Sequence, residues 1–215
     1  VTNTDQILDV LNLTDRNVAC LANNHMLDAG AEGLVNTMEV LQSRNYLCLG
    51  AGKDSREASR PLILEVRGKR IGVLNYNFIG WRKFGFFIDP FAAGDTRPGV
   101  NHGTRKKVVR DIDAMKSDVD YLIVGFHMGK VLHRSLSSAD QKFVQSLKAD
   151  LVVIHHPHIS QPVRSSHVFS LGDFIFMSPH SLPNRNSKYL VVTVGEKPGE
   201  RGIAIDHGLP APVRE

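Results

Sequence analysis

With 215 residues, 42% of them hydrophobic, the chain can bury a substantial core, and a single domain is expected. A net charge of +4 spread along the chain reads as a solvated basic face and argues against a nucleic-acid partner. Cys20 and Cys48, each in an apolar strand pattern, give neither a disulfide framework nor a thiolate metal cluster, and no stretch has the length of a membrane span or the pattern of a signal peptide, so the chain as given reads as soluble.

Asp5 to Leu13 reads as a helix with Ile7, Leu8, Val10 and Leu11 on its apolar face, and Asn17 to Leu21 as a strand. Gly30 to Ser43 is a second helix, because Leu34, Met38 and Leu41 recur at helical spacing. Tyr46 to Leu49 is a short strand closed by a Gly50-Ala51-Gly52 turn, which lacks the further glycine and helix of a phosphate loop. Pro61 to Val66 and Arg70 to Tyr76 form a hairpin around Gly68-Lys69.

Asn77 to Gly103 shows no clear period but holds Trp81, Phe84, Phe86, Phe87, Pro90 and Pro98. Its aromatic content argues for a packed segment, read as a lid over the site with Arg82 and Lys83 available to an anionic ligand. A plug covering the sheet elsewhere is the other reading.

Thr104 starts a helix to about Lys116 with Val108, Ile112 and Met115 on one face, and Tyr121 to Val124 is the next strand. Ser137 or Ser138 caps a helix carrying Phe143, Val144 and Leu147, and Leu151 to Ile154 is a further strand. Val163-Arg164 and Val168-Phe169 form a tight hairpin around Ser165-Ser166, and Lys188 to Val194 is a long strand with a short partner at Ile203 to Ile205. Alternating strands and helices interrupted by hairpins predict a mixed-sheet α/β sandwich.

Three histidine-bearing strings each follow an apolar run: LANNH ending at His25, GFHMG around His127, and HHPH covering His155, His156 and His158. A lone histidine at a strand end is most often a hydrogen-bonding loop residue, and Asn23-Asn24 alone would be turn residues. Three strand ends carrying the same residue type, with the loops after Leu21, Gly125 and Ile154 meeting at one edge, is the pattern a divalent metal site needs.

The strings ANNH with LDAG, GAGKDSREASRP, RPGVN, HMG, HHPHISQPV and SLGDFIF follow one another in this order. Together they resemble the bacterial capsule-synthesis family named for CapA and PgsA of poly-γ-glutamate capsule production, from about Leu21 to Phe176. The resemblance implies a calcineurin-like metallophosphoesterase sandwich, its mixed sheets flanked by helices. It implies Asn24, His127 and His156 as ligands of one divalent metal (Mn, Fe or Zn), with His158 reaching a second. His25 would be the acid over the leaving group, and His155 would support the ligands without joining them. Asp28 would either orient His25 or cap the helix from Gly30, capping being the preferred reading.

The chain also departs from the family. The family's first strand ends in an Asp, and an Asn-Leu-Glu string soon after supplies a metal-bridging Glu; neither is present here. The chain is therefore expected to lack the first strand or strands, to be truncated at its N-terminus, and to leave one sheet incomplete beside Asn17–Leu21 or Leu151–Ile154. The dinuclear site would be depleted, with neutral ligands poorly compensating two cations. Asp173 stands in SLGDF where the family usually has Asn.

These features imply a metal-dependent hydrolase with a phosphoesterase-type site in capsule synthesis. The alternatives are a non-catalytic accessory of anionic-polymer assembly and an inactive remnant. The expected partner is an anionic substrate or polymer, a phosphoester or polyglutamate. Membrane association is expected only through partners or a missing N-terminal segment; the capsule branch of the family is cell-envelope associated, and the location of this chain stays open.

Overall fold

The computed structural model describes residue 8 and residues 16–83, 86–164, 166–172, 188–194 and 201–207. In chain order its elements begin with β1 (Asn17–Cys20), α1 (Gly30–Ser43), β2 (Tyr46–Leu49), β3 (Ala51–Gly52) and α2 (Ser55–Ala58). There follow β4 (Leu62–Val66), β5 (Lys69–Asn77), β6 (Trp81–Lys83), β7 (Phe86–Ile88), β8 (Gly99–Val100), α3 (Arg105–Lys116) and β9 (Tyr121–His127). The last are α4 (Ser138–Gln145), β10 (Leu151–His155), β11 (Val163–Arg164), β12 (His167–Val168), β13 (Lys188–Val194) and β14 (Arg201–His207). The chain forms two compact units, Val1–Leu62 with Val73–Thr104, and Ile63–Gly72 with Arg105–Glu215. Among the described residues no helix is long and apolar enough to cross a membrane.

In the first unit β1 and β2 pair in parallel, from Asn17 opposite Tyr46 to Cys20 opposite Leu49, with α1 as the crossover. The 3.6-residue spacing of Leu34, Met38 and Leu41 buries one stripe of α1 against Leu21, Tyr46, Ala51 and Val100. Leu8 joins this core; the rest of the helix expected over Asp5–Leu13 lies outside the described residues. Gly50 makes the turn after β2 at φ 86°, but Ala51–Gly52 is a strand paired antiparallel with Gly99–Val100, where a turn was expected.

The segment expected to be a long loop holds an antiparallel pair, β6 with β7, and closes on its own base. The Asn77 amide donates to the Asn101 carbonyl at 2.9 Å and that of Gly103 to the Asn77 carbonyl at 2.8 Å. Strands of three residues are too short to show a period. The side chains of Trp81, Arg82, Lys83, Phe84, Phe86 and Phe87 lie outside the described residues.

Strands of the second unit belong to a six-stranded sheet of order β11-β12-β10-β9-β5-β4, to which that unit contributes β5 as far as Gly72. β10 runs parallel to both β9 and β12, while β11 and β12 are antiparallel, so the sheet is mixed as predicted. β9 and β10 are buried on both faces, Leu122, Val124, Phe126, Val152 and Ile154 on one and Tyr121 and Leu151 on the other, as suits interior parallel strands. The expected gap beside Leu151–Ile154 is therefore absent, since β10 has a neighbour on each side. Among the described residues β1 pairs with β2.

The β4–β5 turn is made by Arg67 and Gly68, both at positive φ (49° and 74°), one residue earlier than the pattern suggested. α3 buries Val108, Ile112 and Met115, and α4 buries Phe143 and Val144 beneath a Ser137 cap that accepts from the Asp140 amide at 3.1 Å. β13 and β14 pair antiparallel, from Lys188 opposite His207 to Val194 opposite Arg201, longer than the expected partner at Ile203–Ile205.

Candidate metal centre

In the second unit the parallel register sets His127 opposite His155 at the ends of β9 and β10. The chain then turns sharply: His156 and His158 both have positive φ (100° and 60°), on either side of Pro157. Such backbone costs on the order of 1 kcal/mol or more for a residue with a Cβ and tends to gather at functional sites. The turn brings His156 Nδ1 within 3.1 Å of His127 Nε2, with the rings 4.7 Å apart at 64°. His158 lies next, its ring 6.1 Å from that of His156. His155 keeps an exposed surface, while the protein massed around its ring lowers its pKa from the ordinary histidine value by desolvation.

Two imidazole nitrogens each about 2.1 Å from one cation stand roughly 3.0 Å apart at a right angle and roughly 3.4 Å apart at the tetrahedral angle. The His127–His156 spacing fits that requirement. Without a metal, the same contact needs one ring to donate and the other to accept. Among the described residues no three His, Cys, Asp or Glu side chains gather closely enough to hold a metal. The cluster thus offers two imidazoles to one point, with His158 a ring further on.

The Asn24, His25 and Asp28 group belongs to the first unit. Leu21 donates from its amide to the Leu49 carbonyl at 2.7 Å, ending the β1 ladder, and Asn23 Oδ1 accepts from the His25 amide at 2.8 Å. The turn residue is therefore Asn23, and Asn24 is half-buried beside it. His25 Nδ1 lies 2.8 Å from Asp28 Oδ2, both side chains being largely exposed. The helix from Gly30 starts at Ala29 with no side-chain cap, so Asp28 orients His25 and does not cap α1. Asp173 lies outside the described residues.

Several polar residues that position these strings have no motif of their own. Asn75, buried in β5, accepts from the Ala22 amide through Oδ1 at 2.8 Å, and its carbonyl accepts from Asn101 Nδ2 at 2.8 Å. The Asn101 amide in turn donates to the Gly50 carbonyl at 2.8 Å. Asn75 and Asn101 thereby fix the start of the Asn24–His25 loop. His102 Nδ1 sits 2.8 Å from Asp89 Oδ2, a buried carboxylate that also accepts from Asn77 Nδ2 at 3.0 Å. In the second unit Gln161 Nε2 donates to the His133 carbonyl at 2.6 Å. The available signal was amides inside otherwise apolar runs, as in LNYN over 74–77. The two cysteines are free, Cys20 exposed where a buried strand position was expected, and Cys48 half-buried.

The family model for the bacterial capsule synthesis protein PGA_cap matches residues 1–178. The PGA biosynthesis protein CapA of Bacillus subtilis strain 168 is 26% identical over 174 residues, covering 76% of this chain and 44% of that protein. The capsule biosynthesis protein CapA of Bacillus anthracis is 26% identical over 171 residues, covering 73% and 39% respectively. The chain spans about two fifths of the length of these relatives. Among solved structures, a candidate 5′-nucleotidase of Staphylococcus aureus in complex with alpha-ketoglutarate aligns with a TM-score of 0.57 at 14% identity, over 95% of this chain and 39% of that one. That likeness is one of fold, a mixed α/β arrangement of strands and helices.

Proposed function

Because the chain belongs to the bacterial capsule synthesis protein family, we propose that it acts in poly-γ-glutamate capsule synthesis as a metal-dependent hydrolase of phosphoester type. The observation that carries this reading is the 3.1 Å approach of His127 Nε2 and His156 Nδ1, held by two positive-φ residues. His127 and His156 would hold a divalent metal, with His158 available to a second. Bound there, a divalent metal would lower the pKa of a coordinated water and polarise a phosphoryl oxygen. In the first unit, the family string implies an amide-oxygen donor in Asn24 and an acid in His25. Asp28, 2.8 Å from His25 Nδ1, fixes which ring nitrogen faces outward.

The experiment is a calorimetric titration with Mn and Zn, paired with hydrolysis of p-nitrophenyl phosphate in the presence of each metal. His127→Ala should weaken metal binding by about tenfold or more, the loss of one ligand from a small set. Affinity should fall as the pH drops toward about 6.5, where free imidazole takes up a proton. Unchanged binding in His127→Ala would overturn the assignment.

A role as a binding component without catalysis is the second reading. It is favoured by the absence, among the described residues, of three side chains closing on one metal. Metal binding with no phosphoester hydrolysis would select it.

A further inference from the structure

The loop that follows His127 breaks two rules of turn chemistry at once. Val131 and Leu132 are 48% and 42% exposed, the only adjacent pair among the exposed large hydrophobics described. Leu132 also takes φ 60°, a conformation ordinarily left to Gly or Asn. Lys130, His133 and Arg134 beside them are exposed, and no acidic residue occurs from His127 through Ala139. The loop is nonetheless firmly built. The Leu132 amide donates to the Pro157 carbonyl at 2.8 Å, Gln161 Nε2 holds the His133 carbonyl at 2.6 Å, and the His133 amide closes the turn on the Lys130 carbonyl at 3.2 Å. Pro157 stands between His156 and His158, so these bonds fix the loop directly against the histidine turn.

Local strain, exposed apolar surface and one sign of charge on a rigid support mark a binding surface. We propose that Lys130–Arg134 is a substrate-selecting ledge beside the His127–His156 pair, taking an anionic substrate whose non-reacting part is an aliphatic chain. Val131 and Leu132 cover methylene groups, and Lys130 and Arg134 face the negative charge. The ledge deepens the hydrolase reading, which supplies the reacting end of the substrate, but its binding does not require the metal.

The test is calorimetric titration of the full chain, without added metal, with hexyl phosphate and with inorganic phosphate. Hexyl phosphate should bind about tenfold more tightly, the gain from covering roughly two methylenes. That ratio should fall toward one in Val131→Ser/Leu132→Ser and in Leu132→Gly. Glycine adopts φ 60° without strain, so this variant should keep the loop's fold, which its unfolding midpoint checks. Lys130→Ala/Arg134→Ala should weaken both ligands several-fold while keeping the ratio. His127→Ala should leave the ratio intact even where it abolishes metal binding, which separates failure of the metal site from failure of the ledge. A ratio near one in the parent chain, or one that survives loss of both apolar side chains, overturns the proposal. Binding to anionic lipid vesicles that depends on Val131 and Leu132, with no preference for hexyl phosphate, also overturns it and assigns the loop to a lipid surface.

Discussion

Asn75 shows how a single amide can matter more to the candidate site than its exposure suggests. Its Oδ1 is the partner of the Ala22 amide, two residues before Asn24. Asn75→Leu keeps the volume but leaves that buried N–H without an acceptor, so it should cost about 1–3 kcal/mol. Urea unfolding measures this, and an unchanged midpoint would contradict it. Gly129 plays a similar part in the second unit. It sits at φ 107°, and a Cβ there would lie 2.9 Å from Leu136 Cδ2. Gly129→Ala should therefore lose about 1–3 kcal/mol of stability and disturb the His127–His156 contact, visible as shifted imidazole resonances. The approach of His127 to His156, with His158 a ring further on, was legible because their strings follow two apolar runs that pair as neighbouring parallel strands. Asn75, Asn101 and Gln161 were not, because a buried amide acquires its meaning only from partners distant in the chain. The role of Asp28 was misjudged because an acidic residue before a helix suggests a cap until the side chain is seen turned toward His25.

Among the elements, the helices from Gly30, Arg105 and Ser138 were legible because one apolar stripe repeats at 3.6 residues. β3, β6, β7 and β8 were not, since two or three residues carry no period and their pairing is set by partners far along the chain. The β4–β5 turn offers a direct check of turn chemistry. Arg67 stands at φ 49° ahead of Gly68 at φ 74°, where Asn-Gly is the favoured pair. Arg67→Asn should stabilise the fold by a few tenths to about 1 kcal/mol; a lowered melting temperature would argue against this turn type.

Asp120 ties the start of β5 to the entry of β9. Oδ2 accepts from the Arg70 amide at 2.8 Å, and Lys69 Nζ lies 3.7 Å from Oδ1. The backbone hydrogen bond from Arg70, aided by Lys69 and opposed by partial desolvation, holds the Asp120 carboxyl below its ordinary pKa. Its contribution is thus present above the unfolded-state value of about 3.9 and disappears as the pH falls through the folded-state value below it. Asp120→Asn should flatten the loss of stability on acidification below about pH 4. A variant whose acid unfolding profile overlays the parent's would refute the linkage.

For the whole molecule, strand–helix alternation and the order of the strings were enough to indicate a mixed α/β fold and the capsule-synthesis family. The division of the chain into two units was not legible, because each is assembled from separated segments, Val1–Leu62 with Val73–Thr104 and Ile63–Gly72 with Arg105–Glu215. No local pattern reports which distant segments share a core. The apolar stripe of α1 looks much like those of α3 and α4, although the helices belong to different units.

The β4–β5 hairpin limits how this chain can be cut. In the six-stranded sheet β9 lies between β10 and β5, so the second unit depends on a strand from far upstream of Arg105. A fragment starting at Arg105 would keep the His127 and HHPH strings but expose one whole side of β9 as a bare edge of N–H and C=O groups. Edges of that kind recruit strands from other molecules. The fragment should scatter light as an aggregate, and a synthetic peptide covering residues 62–77 should restore it to a soluble 1:1 complex. In that sense the hairpin acts as an intramolecular chaperone for the half of the protein that carries the histidine pair.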